Sequence, residues 1–549
     1  MRAVSFRTAT LLFTLSACLL QLPARGQSGE DRLYFYRICF TDKNANPSDF
    51  LPGQLLSPAA IARREKLGIP VPELSDLPVS EEYISAVTQQ GLTYKCASRW
   101  MNTALFTSPE LIDTKALELL PYIDRARLVK LPADPSKKIY GKYGTVMLKE
   151  DTDEYDPGVP LNGTALHQSG FTGKGVTIAV LDAGFANADR IESLAPLRER
   201  RGVKATRDFV TGSEYVYDYH NHGTSVLSIL AGNLPGLISG TAPGADYLLL
   251  RTEDDGSEYP VEEDYWAAGA EYADSAGADI ITSSLGYFTF DDPSMNYSFS
   301  DMDGNSTFVT QAADIAASKG IVVIASAGNE RNNEWLRILA PSDGDGVLSV
   351  GAVTQELIIS DFSSAGYSYD GRVKPDVVAP GVNLTIQFEP DLVHRGSGTS
   401  FSCPVISGLT ASLMQAVRNA SPPEIITALH HSSDRFLNPD SLYGYGLPDF
   451  LKALRLLEDI HSYKPEKIMT AGPNPFFDEI YIWFPAPPGQ LSVTVTSSDG
   501  RVMMKRHYPV YAARSYRLDG FGKTGQGLYF VKVDTEEESE LFKMIRLKR

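Results

Sequence analysis

Four polar side chains in the middle of this 549-residue sequence lie where apolar runs end or helical patterns begin. Asp182 directly follows the apolar run 176–181, and Asn329 follows a second such run. His222 precedes one helical pattern, and Ser400 opens another. The carboxyl ends of parallel strands meet at one edge of a sheet, so we expect these side chains to lie close together.

Together these residue types can carry out nucleophilic catalysis. A serine hydroxyl becomes reactive when a base removes its proton, and a histidine does this near neutral pH. A buried carboxylate fixes the tautomer of that histidine and stabilises its cation. Ser400, His222 and Asp182 fit these three roles. An amide side chain can donate to the oxyanion of a tetrahedral intermediate, and Asn329 fits this fourth role.

Each of these residues has a simpler interpretation when it is taken alone. Serine commonly caps a helix, and aspartate or asparagine at the end of a strand commonly forms a turn. A single histidine more often lies on the surface or has an ordinary hydrogen-bond partner. We favour catalysis because one hypothesis explains four positions at once.

Residues 151–460 read as the α/β domain that positions these side chains. Apolar runs of the buried parallel type cover residues 176–181, 247–250, 279–281, 321–325 and 347–353. Helical patterns between and after them cover residues 224–231, 261–275, 307–319 and 401–417. Alternating strands and helices predict a doubly wound, mostly parallel sheet. We expect Pro404 to lie in the first turn of its helix, where the backbone N–H groups have no intrahelical partner.

The order Asp, His, Asn, Ser with these flanking residues resembles the subtilisin-like serine proteases (subtilases). The motifs that carry the resemblance are TGKGV (172–176), HGT (222–224), AGN (327–329), GTSFSCP (398–404) and GYG (444–446). The chain order distinguishes this family from other triad enzymes. The resemblance covers about residues 160–460 and implies a subtilisin-like fold. It also implies a triad of Asp182, His222 and Ser400, with Asn329 in the oxyanion hole.

The sequence departs from the common family pattern next to two of these residues. Ala183 replaces the usual Thr or Ser after the aspartate, and Phe401 and Ser402 replace Met-Ala after the serine. Both changes keep small or apolar packing, so we expect catalysis to survive them.

Two segments resemble the walls that bind substrate in this family: Ser284, Leu285 and Gly286, and Ser326, Ala327 and Gly328. An extended peptide would add itself there as a strand. Small walls favour a large apolar side chain at P1, the residue that supplies the scissile carbonyl. Glu330 instead favours a basic one, and the sequence leaves both open.

The N-terminus predicts export. Arg2 and Arg7 precede the apolar run 11–22, which predicts a signal peptide over residues 1–26. Cys18 lies in a sequence that resembles a lipoprotein box, but the apolar run continues past it, so we favour simple cleavage near Gly26. No later stretch is long and apolar enough to predict a membrane span.

Residues 27–150 read as an α+β domain with a linker. A strand is predicted over 33–40 and helices over 57–67 and 80–89, and a disulfide between Cys39 and Cys96 is possible. By its position the domain resembles a subtilase propeptide, which implies help in folding and occlusion of the active cleft. Proteolytic processing is expected in the linker over 132–160. The alternative is an ordinary accessory domain.

Residues 461–549 read as a small all-β sandwich with strands over 480–483, 491–495, 528–533 and 542–546. The GPNPF motif (472–476), the strand 527–532 and the basic end 543–549 resemble the sorting domain of proteins exported by type IX secretion. That resemblance implies the secretion machinery as a partner and a secreted or cell-surface protein. The alternative is a plain structural or binding domain.

Composition limits the other function classes. The net charge of −18 argues against nucleic-acid binding. No metal-ligand spacing stands out, so we expect no required cofactor. The acidic run 253–258 lacks the spacing of a calcium loop and is predicted to be a solvated loop. Calcium often stabilises subtilases, so a structural calcium ion stays possible.

These observations predict a secreted serine endopeptidase that acts on protein or peptide substrates. A catalytically silent subtilase-fold binding protein, displayed outside the cell, is the rival interpretation. A peptide ligase or a tripeptidyl peptidase is a third.

Overall fold

A computed structural model describes residues 32–133, 145–148, 155–462, 469–484, 488–511, 515–521, 524–536 and 538–547. The predicted signal peptide, with Cys18, and much of the predicted linker lie outside these residues. Within the described ranges, no helix is long and apolar enough to cross a membrane.

The N-terminal domain is an antiparallel sheet covered by short helices. Its strands are β1 (Tyr34–Phe40), β2 (Thr93–Ser98), β3 (Thr103–Ser108) and β4 (Ile123–Lys130), in the order β2-β3-β1-β4. Its helices are α1 (Pro52–Leu55), α2 (Pro58–Lys66), α3 (Glu81–Thr88) and α4 (Thr114–Leu117). Ser57 and Ser80 cap α2 and α3 by accepting backbone N–H groups. The predicted α+β character is confirmed.

Strand β3 lies between the two cysteine-bearing strands β1 and β2. Neighbouring strands are about 4.8 Å apart, so two strand spacings exceed the Cα separation that a disulfide can bridge. Cys39 and Cys96 are accordingly free thiols, and the bridge considered from the sequence does not form.

The central domain alternates strands and helices as predicted. Its strands are β5 (Thr145–Leu148), β6 (Thr177–Asp182), β7 (Val203–Asp208), β8 (Asn233–Leu234), β9 (Ile238–Ser239), β10 (Asp246–Arg251), β11 (Ile280–Ser283), β12 (Val322–Ser326), β13 (Val347–Val353), β14 (Val377–Pro380), β15 (Leu384–Glu389) and β16 (Leu392–Ser397). Its helices are α5 (Gly163–Gln168), α6 (Ala195–Glu199), α7 (His222–Ala231), α8 (Val261–Ala276), α9 (Phe308–Ser318), α10 (Thr399–Ala416), α11 (Pro422–Ser432) and α12 (Phe450–Ser462).

Seven parallel strands form the main sheet in the order β14-β13-β12-β11-β6-β10-β7. Ile178 and Val180 face the core that contains residues of α7 and α10, whereas Ala179 and Leu181 face the core that contains residues of α8 and α9. Burial on both faces explains why the strand sequences are continuously apolar rather than alternating. The predicted doubly wound parallel sheet is confirmed.

A hairpin of β15 and β16 leads directly into α10, and β5 adds to it as a third antiparallel strand. The register pairs Thr145 with Ser397, three residues before Ser400. The chain that follows the N-terminal domain therefore lies against the segment that enters α10.

Buried charged groups join the N-terminal domain to α8. Arg37 donates to both carboxylate oxygens of Asp264, at 2.8 and 2.6 Å. Glu271 accepts the backbone N–H groups of Arg99, at 2.9 Å, and of Trp100, at 3.1 Å. These buried groups pair with one another, and the N-terminal domain desolvates one face of the helix.

The C-terminal domain is a sandwich of two small sheets, as predicted. Its strands are β17 (Thr470–Gly472), β18 (Ile480–Trp483), β19 (Gly489–Ser497), β20 (Val502–Tyr511), β21 (Ser515–Leu518), β22 (Gly527–Thr535) and β23 (Ser539–Arg546). Their orders are β17-β18-β21 and β20-β19-β22-β23. Alternate residues of β19, among them Val493 and Val495, enter the shared core, as expected for sheets with one buried face.

Arg64→Ala should strongly destabilise the docked N-terminal domain. Its buried guanidinium donates to Asp76 at 2.7 Å and also pairs with Asp274, so the change leaves two buried carboxylates without this cation. Breaking a buried pair in this way costs about 3–5 kcal/mol. We expect a lower thermal unfolding midpoint, measured by circular dichroism on the full chain.

Lys115→Ala provides the control, because its pair with Glu118 leaves the lysine 81% exposed. It should change stability by less than about 1 kcal/mol. Equal effects of the two substitutions would contradict the importance of the buried pairs.

Candidate active site

Asp182 and His222 form a buried pair at the carboxyl edge of the sheet. Asp182 is the last residue of β6, and His222 is the first of α7. His222 Nδ1 lies 2.9 Å from Asp182 Oδ1 and 3.1 Å from Oδ2. An ionised carboxylate only accepts hydrogen bonds, so Nδ1 carries the proton. In the neutral ring Nε2 is then the basic nitrogen.

Gly223 brings the start of α7 onto the end of β6. Its N–H donates to Gly184 O at 3.1 Å. A Cβ at residue 223 would lie only 2.5 Å from that oxygen and 3.0 Å from Asp182 Cβ. The glycine after His222 is therefore a steric requirement for the imidazole–carboxylate contact.

Helix α10 begins beside α7. The Phe401 ring centroid lies 6.0 Å from that of His222, and Phe401 directly follows Ser400. The Ser400 hydroxyl donates to Ser284 O at 3.3 Å. Ser400 is the second residue of its helix, so its backbone N–H has no acceptor within the helix. Both the hydroxyl and the N–H of this residue thus lie at the positive end of the helix dipole.

Pro404 lies deeper in its helix than predicted from the sequence. Helix α10 begins at Thr399, so Pro404 is its sixth residue and not part of the first turn. An ordinary residue there would donate its N–H to the carbonyl of Ser400. Proline has no N–H, and the Ser284 hydroxyl donates to Ser400 O instead, at 2.8 Å.

The Asn329 side chain is held by the start of α10. Its Oδ1 accepts from Thr399 N at 2.9 Å and from Thr399 Oγ1 at 3.0 Å. Thr399 Oγ1 also accepts from Gly328 N at 3.2 Å. Since Oδ1 is engaged by Thr399, the donor end of the amide, Nδ2, is directed elsewhere. Thr399 was not among the predicted site residues, although its place in the GTSFSCP motif is a signal.

The two predicted substrate-binding walls follow neighbouring parallel strands. Ser284 and its two successors leave the end of β11, and Ala327 and Gly328 leave the end of β12. Leu285 and Ala327 are buried, so their side chains support the sheet edge rather than face solvent. The structure thus brings both segments to the edge that carries Asp182.

The acidic run 253–258 is not the solvated loop that the sequence predicted. Glu253 is buried and accepts a hydrogen bond from Tyr287 Oη. Burial alone would raise the pKa of Asp254, but the Lys130 ammonium, 2.5 Å away, and hydrogen bonds from Ser257 and Gly256 lower it to about 2. Within the residues that the structure describes, no group of three or more His, Cys, Asp or Glu side chains could hold a metal ion.

Three family models match separate parts of the chain. Residues 173–446 match the model described as "Subtilase family". Residues 35–140 match "Peptidase S8 propeptide domain, Bacteroidota". Residues 472–547 match "Secretion system C-terminal sorting domain", and this type IX sorting domain marks the protein as secreted or displayed at the cell surface.

Known proteins are similar to half of the chain or slightly more. The thermophilic serine proteinase of Bacillus sp. (strain AK1) is 30% identical over 275 residues, which cover 50% of this chain and 60% of that protein. Subtilisin E of Bacillus subtilis (strain 168) is 29% identical, covering 59% of this chain and 77% of subtilisin E. The crystal structure of MycP1 from Mycobacterium smegmatis is similar with a TM-score of 0.45 and 23% identity, covering 57% of this chain and 88% of MycP1.

A double-mutant cycle should expose the link between Ser284 and Pro404. Ser284→Ala leaves the buried Ser400 carbonyl without its donor, which costs about 1–3 kcal/mol. Adding Pro404→Ala restores an intrahelical N–H to that carbonyl and should recover much of the loss. The measurement is the thermal unfolding midpoint of the wild type, both single variants and the double variant. Strictly additive effects would show that the two residues do not share this carbonyl.

Proposed function

We propose that this chain, which belongs to the subtilase family of serine peptidases, is a secreted endopeptidase that cuts proteins or peptides with Ser400 as nucleophile. The observation that carries the proposal is the buried hydrogen bond from His222 Nδ1 to Asp182, at the edge where α10 presents Ser400. Nucleophilic catalysis needs a base of fixed tautomer beside the hydroxyl, and this bond fixes it.

The reaction follows from these three side chains. Ser400 Oγ attacks the scissile carbonyl carbon while His222 Nε2 takes its proton. Asp182 stabilises the resulting imidazolium through Nδ1–H. His222 then gives the proton to the leaving amine, and the C–N bond breaks to leave an acyl-enzyme. A water molecule, deprotonated by His222, then attacks the acyl carbon. The bond to Ser400 Oγ breaks, His222 returns the proton to Oγ, and the carboxylic acid product leaves. Every proton transfer uses a protein group, so we propose that the chemistry requires no cofactor.

The oxyanion would be stabilised by two donors. One is the backbone N–H of Ser400, which has no acceptor within its own helix. The other is Asn329 Nδ2, whose orientation is supported by the two bonds from Thr399 to Oδ1. Donors held in place before the substrate arrives lower the barrier because they need not reorganise during the reaction.

Substrate would bind as an added strand between the segments 284–286 and 326–328. Main-chain hydrogen bonds supply affinity in this mode, and side-chain pockets supply preference. The N-terminal domain, docked on α8, would assist folding and restrain activity until proteolysis in the 132–160 linker separates it. We also propose that the secretion machinery recognises residues 461–549.

Serine labelling tests the proposal directly. A fluorophosphonate probe should label Ser400 of the wild type, purified in its mature form without the N-terminal domain. Casein hydrolysis should be lost in Ser400→Ala, because alanine has no hydroxyl to activate. Peptide mass spectrometry locates the label. Undiminished casein hydrolysis by Ser400→Ala would refute the assignment. A wild type that is neither labelled nor active would instead support a silent binding protein.

Asn329→Ala should lower kcat by about 10²–10³-fold and change KM little, since an oxyanion donor acts mainly on the transition state. Steady-state kinetics on a chromogenic peptide provide the measurement. Asn332→Ala, an exposed residue of the same loop, is the matched control and should leave both constants unchanged. A change confined to KM would contradict the proposed role of Asn329.

A further inference from the structure

The Leu339 side chain lies between the two segments proposed to bind substrate. A Cβ added at Gly286 would lie 2.7 Å from Leu339 Cδ1 and 2.8 Å from its Cβ. A Cβ added at Gly328 would lie 2.7 Å from Leu339 Cγ. One isobutyl group therefore contacts both glycines, and their lack of side chains does not leave open space between the walls.

The backbone around Leu339 is hydrogen-bonded to both walls. Leu339 N donates to Ala327 O at 3.2 Å, on the wall that follows β12. The next residue, Ala340, exchanges hydrogen bonds with Tyr287, which directly follows the other wall: Tyr287 N donates to Ala340 O at 2.9 Å, and Ala340 N donates to Tyr287 O at 3.3 Å. Leu339 O in turn accepts from Ser342 N at 2.8 Å. Both polar groups of the Leu339 backbone are thus engaged, so a substrate cannot displace this residue without breaking these bonds.

Hydrogen bonds and ring packing of neighbouring residues also hold this segment in place. Ile338 N donates to Ala365 O at 3.1 Å, and Trp335 Nε1 donates to Ile338 O at 3.1 Å. The Trp335 ring lies 4.9 Å from the Phe288 ring, measured between centroids. Leu339 itself is only 6% exposed. A closely packed side chain on a hydrogen-bonded backbone does not move aside without cost.

We propose that Leu339 restricts the P1 side chain to small residues such as glycine, alanine and serine. The inference rests on the proposed peptidase function and identifies its substrate class. It differs from both expectations drawn from the sequence. A large apolar P1 side chain would need the volume that Leu339 occupies. The Glu330 carboxylate, suggested as a partner for a basic P1 residue, accepts instead from Asn333 in its own loop.

A series of peptides that differ only at P1 tests the inference on the wild type. The peptides carry glycine, alanine, leucine, phenylalanine or lysine at P1 before a chromogenic leaving group. We expect kcat/KM for alanine to exceed that for phenylalanine by at least about tenfold, the lower end of what one steric difference in a pocket provides. Equal or faster cleavage after phenylalanine or lysine would overturn the inference. This test needs no substitution, so it stands even if a variant fails to fold.

Leu339→Ala should shift the preference towards phenylalanine. Removing the isobutyl group opens the space between Gly286 and Gly328, so the phenylalanine-to-alanine ratio of kcat/KM should rise by at least about tenfold. Ile338→Ala is the matched control, because it also truncates a buried aliphatic residue of this segment. It should cost stability but leave the ratio unchanged. The same shift in both variants, or in neither, would contradict the role of Leu339.

Fluorophosphonate labelling distinguishes a failure of this inference from a failure of the proposed peptidase function. A wild type labelled at Ser400 that prefers phenylalanine at P1 would refute the role of Leu339 and leave the peptidase function intact. A mature wild type, freed of the N-terminal domain, that is not labelled and cleaves none of the peptides would refute the function itself, and this inference with it.

Discussion

Helix α7 approaches the end of β6 so closely that the backbone beside His222 has no room for a side chain. A Cβ at residue 223 would lie 2.5 Å from Gly184 O. This approach places the imidazole on Asp182, whose carboxylate is fully buried and also accepts the N–H of Ala183 at 2.8 Å. A buried carboxylate is costly unless hydrogen bonds satisfy it, and these same bonds determine which nitrogen of His222 carries the proton. The proposed chemistry depends on this contact.

Hydrogen bonds also link the loops that follow β11 and β12 to the start of α10. Ser284 and Ser400 are linked twice, by the hydroxyl of each donating to the carbonyl of the other. Thr399 joins Asn329 to the same helix start. A proline inside the helix creates the free carbonyl that one of these bonds satisfies. The helix start, the proposed oxyanion donor and one substrate wall therefore form one hydrogen-bonded unit before any substrate binds.

The contact between the N-terminal domain and α8 combines buried charged groups with apolar packing, since Phe35 and Trp100 share a hydrophobic core with residues of α8. Glu271 accepts hydrogen bonds from two main-chain N–H groups, and two nitrogens of Arg37 donate to the Asp264 carboxylate. Buried ion pairs contribute little net stability compared with apolar packing, but mismatched partners leave unpaired charges and are penalised strongly. Such an interface favours one docked orientation.

The sequence by itself was enough to predict the family, the parallel strands of the core and the serine caps of two helices. TGKGV, HGT, AGN and GTSFSCP identify the family, and continuous apolar runs predict the central strands because both faces of a parallel sheet are buried. Ser57 and Ser80 predict their helix starts because a capping hydroxyl acts locally. Strand β7 was missed because it is a sheet edge with a mixed, partly exposed sequence. Strand β14 was missed because it is the other edge and its short apolar run ends at Pro380. Only the tertiary structure decided that Pro404 needs Ser284, that Thr399 holds Asn329, and that Leu339 occupies the space between Gly286 and Gly328. Each of these contacts joins residues that are distant in the chain, and no local pattern records them.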